Sequence, residues 1–376
     1  VLAFASSRRY NTRGRVSVST EAQTERAWVE IDLANLVENA RAVRRAAHDA
    51  ALLPMVKANA YGLGVLPVVR ALERVDPWGF GVATVGEGRE LREAGIERPI
   101  VVFTPARSDQ LDAYRRHGLR PVLDDPAVIG RWPADHPYHC EIDTGMGRAG
   151  IRWDDGAALA TLSVHSPEGL FTHLHSADEA PETVDVQLRR FHAALGALSG
   201  RPRLVHVCNS AGAWRVKEQF DLARPGIYLY GGRVGPDLPE PAPVVSLRAR
   251  IASLRHVEAG DTVSYGAEWT APGPTTVATL GIGYADGVPR AVARRAGVLI
   301  AGRLCPVVGR VTMDMTMVDI GPDPSHGVST GDVATLIGAD GEQAVTADDF
   351  AAWAGTISYE ILVGLGARLP RCYTGP

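Results

Sequence analysis

The chain of 376 residues is 45% hydrophobic and 22% charged, and its 39 Lys+Arg against 43 Asp+Glu leave a formal charge of −4. That length holds about two domains at roughly 100–200 residues each, and the balanced charge gives no electrostatic reason to expect nucleic acid or an anionic membrane surface as partner. No apolar run approaches the roughly 18–20 residues of a membrane-spanning helix, and Cys140, Cys208, Cys305 and Cys372 show neither CxxC nor zinc-type spacing, which fits reduced thiols in a cytoplasmic protein.

The first twenty residues carry Arg8, Arg9, Arg13 and Arg15, several serines and no acid, a composition that loosely resembles an organelle transit segment. Residues 1–26 read as a disordered tail outside the fold. From residue 28 to about 232, short apolar runs alternate with amphipathic stretches, the texture of successive βα units. The runs are 52–57, 78–84, 100–104, 119–123, 138–144, 169–173, 204–208 and 222–230, and eight of them predict a closed (β/α)8 TIM barrel over residues 27–243. Between them, Leu33, Leu36, Val37, Ala40 and Val43 share one helix face behind a possible Asp32 cap, and Leu188, Phe191, Leu195 and Leu198 share another ahead of Gly200. The stretch GGRVGPDLPEPAP then reads as a linker. Beyond it, β-branched runs at 244–257, 275–280, 298–301, 306–311, 317–320 and 333–337 predict a C-terminal all-β domain over 244–376.

Barrel chemistry gathers at the C-terminal ends of the strands. The first run ends at Lys57, ahead of a glycine-containing loop, where desolvation would depress the amine pKa and make it nucleophilic; a solvated strand-end lysine is the plainer alternative. The seventh and eighth runs lead into HVCNSAG and RPGIYLYGG, placing small residues and backbone amides where barrels commonly bind phosphate. An imine-forming lysine and a phosphate cradle on one rim point to pyridoxal phosphate, with Arg224 as candidate partner for its ring nitrogen. A competing reading takes His173, His175 and His206 as ligands of a metal-dependent barrel hydrolase. It leaves Lys57 and Arg224 without a shared purpose, and no metal is expected.

Nine segments in fixed order, VKANAYGLG, EIDTGMGRAG, FTHLHSADE, CNSAG, RPGIYLYG, VSYGAEWT, IGYADGVPR, GRVTMDMTMVD and TISYEI, resemble the motif series of alanine racemases from Trp28 to Arg371. The resemblance implies a homodimeric pyridoxal-phosphate enzyme of fold type III, supplying D-alanine to the cell wall, whose β domain completes the partner subunit's site. It implies Lys57 as cofactor lysine and base on one substrate face, with Tyr265 as base on the other. Tyr61, His173, Asn209, Ser210, Arg224, Gly226, Ile227 and Tyr359 match cofactor-holding positions, with Arg224 facing the ring nitrogen. Arg148, Met313, Asp314 and Tyr284 match substrate-side positions. Two positions depart from the pattern: Leu63 stands where the family usually has histidine, and Glu141 where a lysine is often carbamylated. Glutamate would supply a similar negative charge for orienting Arg148. Serine or another small amino acid, in a secondary-metabolic setting, is the alternative substrate, since one added hydroxyl is poorly rejected by a snug pocket.

Overall fold

The computed structural model describes residues 24–323 and 327–375, and these divide into two compact units, Leu36–Ala242 and the flanking segments up to Asn35 and from Pro243. Of the expected N-terminal tail, residues 1–23 lie outside the described residues.

In the central unit, parallel pairing runs from Phe80–Val82 through Ile100–Pro105, Arg120–Leu123, His139–Asp143 and Gly169–Phe171 to Leu204–His206. The ring closes through two short strands, Ala51–Leu52 and Leu222–Ala223, which pair in parallel with each other. Asp221 and Arg224 donate backbone N–H groups to Val205 and Cys208 on one side, while Trp78 N–H to Leu52 and Val56 N–H to Gly81 tie the other. All eight expected runs therefore take part in one closed parallel barrel. Leu53, Val101, Val122, Phe171, Leu204 and Leu222 pack inside it, as expected for strands buried on both faces.

One helix departs from the sequence pattern. The helix Glu182–Gly196 buries Val184, Gln187, Phe191 and Ala194, whereas Leu188, Leu195 and Leu198 stay half-buried. The expected face is rotated because Gln187 occupies its centre for hydrogen bonding. Its amide donates to Thr144 Oγ1 and the His173 carbonyl, and its oxygen accepts from His175 N–H, each at 3.0 Å.

In the other unit, Val245–Val257, Thr275–Leu280, Thr316–Gly321, Arg303–Val308, Gly297–Ile300 and Val333–Asp340 pair in sequence, and the last returns to the first to close a second, antiparallel ring. The strand Ala27–Asp32, assigned from sequence to the barrel domain, instead joins this unit, antiparallel to Val245–Val257 and parallel to Arg371–Thr374. Its burial, continuous over Ala27, Trp28 and Val29 and again at Ile31, does not by itself distinguish the two sheets, and the pairing assigns it. Just before it, Arg26 donates to the Asp286 carboxylate at 2.7 Å, so the expected tail ends earlier than residue 26. Two helices, Ala347–Ala354 and Ser358–Val363, accompany the strands. The first is announced by a Thr346–Asp349 capping box. Among the described residues no helix is long and apolar enough to cross a membrane.

Candidate active site

Lys57 opens a turn of unusual hand. Ala58, Asn59, Ala60 and Tyr61 all have φ between 51° and 56°, four consecutive side-chain-bearing residues in the left-handed region, at a cost of roughly 1–2 kcal/mol each. The turn persists because its surroundings hold it. Glu87 accepts the Ala58 N–H at 2.6 Å while its other oxygen accepts Ala83 and Thr84 N–H groups, and Asn59 Oδ1 accepts Val65 N–H at 2.8 Å. Burial lowers the Lys57 pKa from its ordinary value, Arg148 adds to the effect and Glu87 opposes it. A depressed amine pKa is what a nucleophilic lysine requires.

Across the same rim, Arg224 is 3% exposed. Its fork donates to the Thr172 and Val207 carbonyls at 2.8 and 3.1 Å and to His206 Nδ1 at 2.8 Å. Burial brings its pKa down to about 10, which leaves it charged at neutrality. His173, with its carbonyl fixed by Gln187, is held neutral: burial first, then the charges of Arg224, Arg148 and Lys57, push its pKa to about 3. His206, weighed from sequence as a metal ligand, has both ring nitrogens engaged by Arg224 and His139.

A third group lies next to Arg224 in sequence. Gly226 donates its N–H to Ser210 Oγ at 2.8 Å, and a Cβ at Gly226 would collide with the Tyr61 hydroxyl. Tyr61 in turn stacks on Tyr230 with ring centroids 4.4 Å apart. Asn209 caps the following turn by accepting Gly212 N–H at 2.8 Å. Ile227 begins the short helix Ile227–Tyr230 and is buried. Hydroxyls and backbone amides thus converge without a lysine or arginine among them, a donor set suited to a phosphate bound through neutral groups.

The departures also resolve. Leu63 is fully buried and serves packing, contributing roughly 1.5–3 kcal/mol of apolar burial. Glu141, expected as a fixed negative charge, is a titrating group: burial raises its pKa to about 7 against the pull of Arg148 and Arg224.

In the other unit, Tyr265 is 71% exposed on a turn where Ser264, Gly266 and Ala267 have φ of 69°, 75° and 48°. Ser264 Oγ donates to the Arg310 carbonyl at 2.7 Å, and Arg310 pairs with Glu268. Tyr284 and Ala285 donate N–H groups to Thr312 and Met313 carbonyls, each at 3.0 Å. Met313 is exposed. Asp286, fully buried, accepts from Gly283 N–H, Arg26 and Arg368, and Arg368 also holds Asp314 at 2.9 Å. Tyr284, Met313 and Asp314 are therefore parts of one hydrogen-bonded assembly. The helix carrying Tyr359, Ser358–Val363, ends at Gly364, whose carbonyl lies against Gly287.

The alanine racemase N-terminal domain model matches residues 31–234, and the C-terminal domain model matches residues 244–373. The chain belongs to the alanine racemase family. An alanine racemase of Symbiobacterium thermophilum is 40% identical over 371 residues, covering 93% of this chain and 97% of the relative. One of Geobacter sulfurreducens is 40% identical over 375 residues, covering 92% and 97%. Among solved structures, alanine racemase from E. faecalis aligns with a TM-score of 0.86 at 30% identity, over 95% of this chain and all of that one. Alanine racemase from Bartonella henselae, with covalently bound pyridoxal phosphate, aligns at 0.85 and 29% identity, over 93% of this chain and 100% of that one. Members of the family are isomerases that depend on pyridoxal phosphate, and the neutral hydroxyl and backbone-amide donors, half-buried amine and fixed guanidinium of this barrel rim suit that cofactor.

Sequence reasoning passed over Glu87, Gln187 and Asp286. Only the first carried a signal, the Thr84-x-x-Glu87 capping box.

Proposed function

We propose that this protein interconverts L- and D-alanine with pyridoxal phosphate on the barrel rim, Lys57 serving one face of the substrate Cα and the partner's Tyr265 the other. The observation that carries this reading is the gathering on one rim of a half-buried, depressed-pKa lysine, a charged guanidinium held by carbonyls, and the Tyr61–Ser210–Gly226 donor set. When bound, the cofactor supplies the electron-withdrawing ring that stabilises charge at Cα. Everything else falls to the chain. Tyr61, Ser210 and the backbone of Gly226 and Ile227 grip the phosphate, with Tyr359 adding a hydroxyl and Asn209 holding the turn. Arg224 presents a fixed positive charge to the ring nitrogen and keeps a proton off it. His173, kept neutral, adds no competing charge near Lys57.

Racemisation demands two proton carriers, because returning a proton from the face it left regenerates the same enantiomer. Lys57 takes or returns it at Nζ on one face. Tyr265 does so at its phenolic oxygen on the other, and its exposure suits a residue completed by a second chain. Arg148 receives the substrate carboxylate, while the partner's Met313, Asp314 and Tyr284 close the substrate end. A pocket so closed fits alanine, and a kinetic panel of small amino acids in both configurations ranks serine against it.

Two experiments test the reading. Borohydride reduction of the cofactor-loaded enzyme is expected to fix cofactor mass on the peptide containing Lys57; an unmodified Lys57 at excess cofactor would overturn it. Mixing inactive Lys57→Ala and Tyr265→Phe chains is expected to restore about a quarter of wild-type activity, because half the dimers are mixed and each has one intact site. No recovery in demonstrably mixed dimers would show that the sites are not shared.

A further inference from the structure

A row of polar side chains crosses the barrel interior from the rim to the opposite end. Arg224 donates to His206 Nδ1 at 2.8 Å, His206 Nε2 meets His139 Nδ1 at 2.8 Å, and His139 Nε2 faces Glu168 Oε2 at 3.6 Å. Glu168 is fixed by Arg120 Nε at 2.5 Å. It precedes the strand Gly169–Phe171, and His139 begins its own strand, so both lie at the end away from Lys57. The two rings and the guanidinium are buried, with Phe171 stacked on His206 at a 4.8 Å centroid separation and Arg224 lying over Phe171.

The direction of this row follows from donor chemistry. A guanidinium has donors only, so His206 Nδ1 must offer a lone pair, and a neutral imidazole then carries its single proton on Nε2. That proton can only point at His139 Nδ1, which forces the His139 proton onto Nε2, toward the Glu168 carboxylate. Both charged ends impose the same polarity. With the opposite tautomers, an N–H would face the guanidinium and a lone pair would face the carboxylate.

We propose that Glu168 is a positioning residue for Arg224, acting through the fixed tautomers of His139 and His206. Its negative charge anchors one end of the chain and keeps a lone pair available to the guanidinium at the other, so the orientation of Arg224 is set from the far end of the barrel. At 3.6 Å the Glu168–His139 contact is electrostatic rather than a hydrogen bond; around metals, carboxylate partners that fix histidine tautomers cost about 10–100-fold in affinity or activity when lost.

Neutron crystallography of the wild-type holoenzyme reads the polarity directly. Protons are expected on Nε2 of both His206 and His139; a proton on Nδ1 of either ring would overturn the proposal. In Glu168→Gln, the histidine 15N shifts of His206 are expected to move, and kcat to fall about tenfold at unchanged KM, toward the smaller losses seen for such partners. Unmoved shifts with wild-type kcat would refute the coupling. The kinetic arm rests on Arg224 facing the cofactor, as proposed above, whereas the proton positions do not, so failure of either reading can be told from failure of the other.

Discussion

Glu87 accepts the backbone N–H of Ala58 at 2.6 Å, one residue after Lys57, while its other oxygen holds Ala83 and Thr84. One carboxylate therefore caps its own helix and pins the left-handed turn that aims the lysine. Glu87→Ala removes three charge-assisted bonds and is expected to cost roughly 1–3 kcal/mol of stability. Because the turn stores strain, its release should also misdirect Lys57. Urea denaturation gives the first number, and kcat should fall more than tenfold in variant protein that is still folded. A variant with full kcat would mean that the turn holds itself.

Acid should destabilise the cofactor-free protein through its buried histidines. His139, His173 and His206 all have depressed pKa values caused first by burial, so the unfolded chain binds protons below about 6.5 that the folded chain refuses. Their contribution is complete above that pH and is lost as pH falls. Glu141, raised to about 7, acts in the opposite sense: its contribution is complete below about 4.5 and is lost as pH rises through 7. Between pH 6.5 and 5 these three groups oppose one, which lowers stability on acidification by up to about 2.7 kcal/mol per pH unit, and His136, whose pKa burial also lowers, adds to the fall. Glu141→Gln should steepen that drop and stabilise the protein at pH 8. Denaturation midpoints across this range check both, and a flat profile would contradict the buried neutral rings.

The eight barrel strands were legible because strands buried on both faces read as continuous apolar runs. The strand Ala27–Asp32 reads equally well as the first element of a barrel, and only its pairing partners assign it elsewhere. The helix Glu182–Gly196 was misphased because hydropathy places Gln187 outside a buried face that it occupies by hydrogen bonding. Most of the candidate rim residues were named in advance through motif resemblance. What holds them was hidden: nothing in Ala58-Asn59-Ala60-Tyr61 announces a left-handed turn, since its first glycine is Gly62. Contacts such as Glu87 to Ala58 span 29 residues, and no local pattern encodes them.

Gly226 offers a steric test of the phosphate cradle. A Cβ at this position would run into the Tyr61 hydroxyl and crowd the ring carbon that carries it. Gly226→Ala should cost about 1–3 kcal/mol by overpacking. Cofactor affinity, measured by equilibrium dialysis, should weaken about tenfold or more, each factor of ten being about 1.4 kcal/mol. Adding Tyr61→Phe removes the obstructing oxygen, so stability should recover in part while affinity does not. Recovery of both would show that Tyr61 contributes no grip.

Asp286 joins what the substrate side needs. With its side chain fully buried it receives Gly283 N–H, Arg26 and Arg368, and through Arg368 it reaches Asp314. Asp286→Asn keeps the shape but removes the charge and places an amide donor among donors. Breaking a buried ion pair in this way typically costs about 3–5 kcal/mol, and the half-exposed arginines place this case toward the low end. The turn carrying Tyr284 and the Met313–Asp314 segment loosen together, while Lys57 and Tyr265 keep their own supports. The expected signature is therefore a rise in KM for alanine of about tenfold with a smaller change in kcat, as when binding common to ground and transition states is lost. A kcat loss at constant KM would instead place this assembly in the proton-transfer machinery.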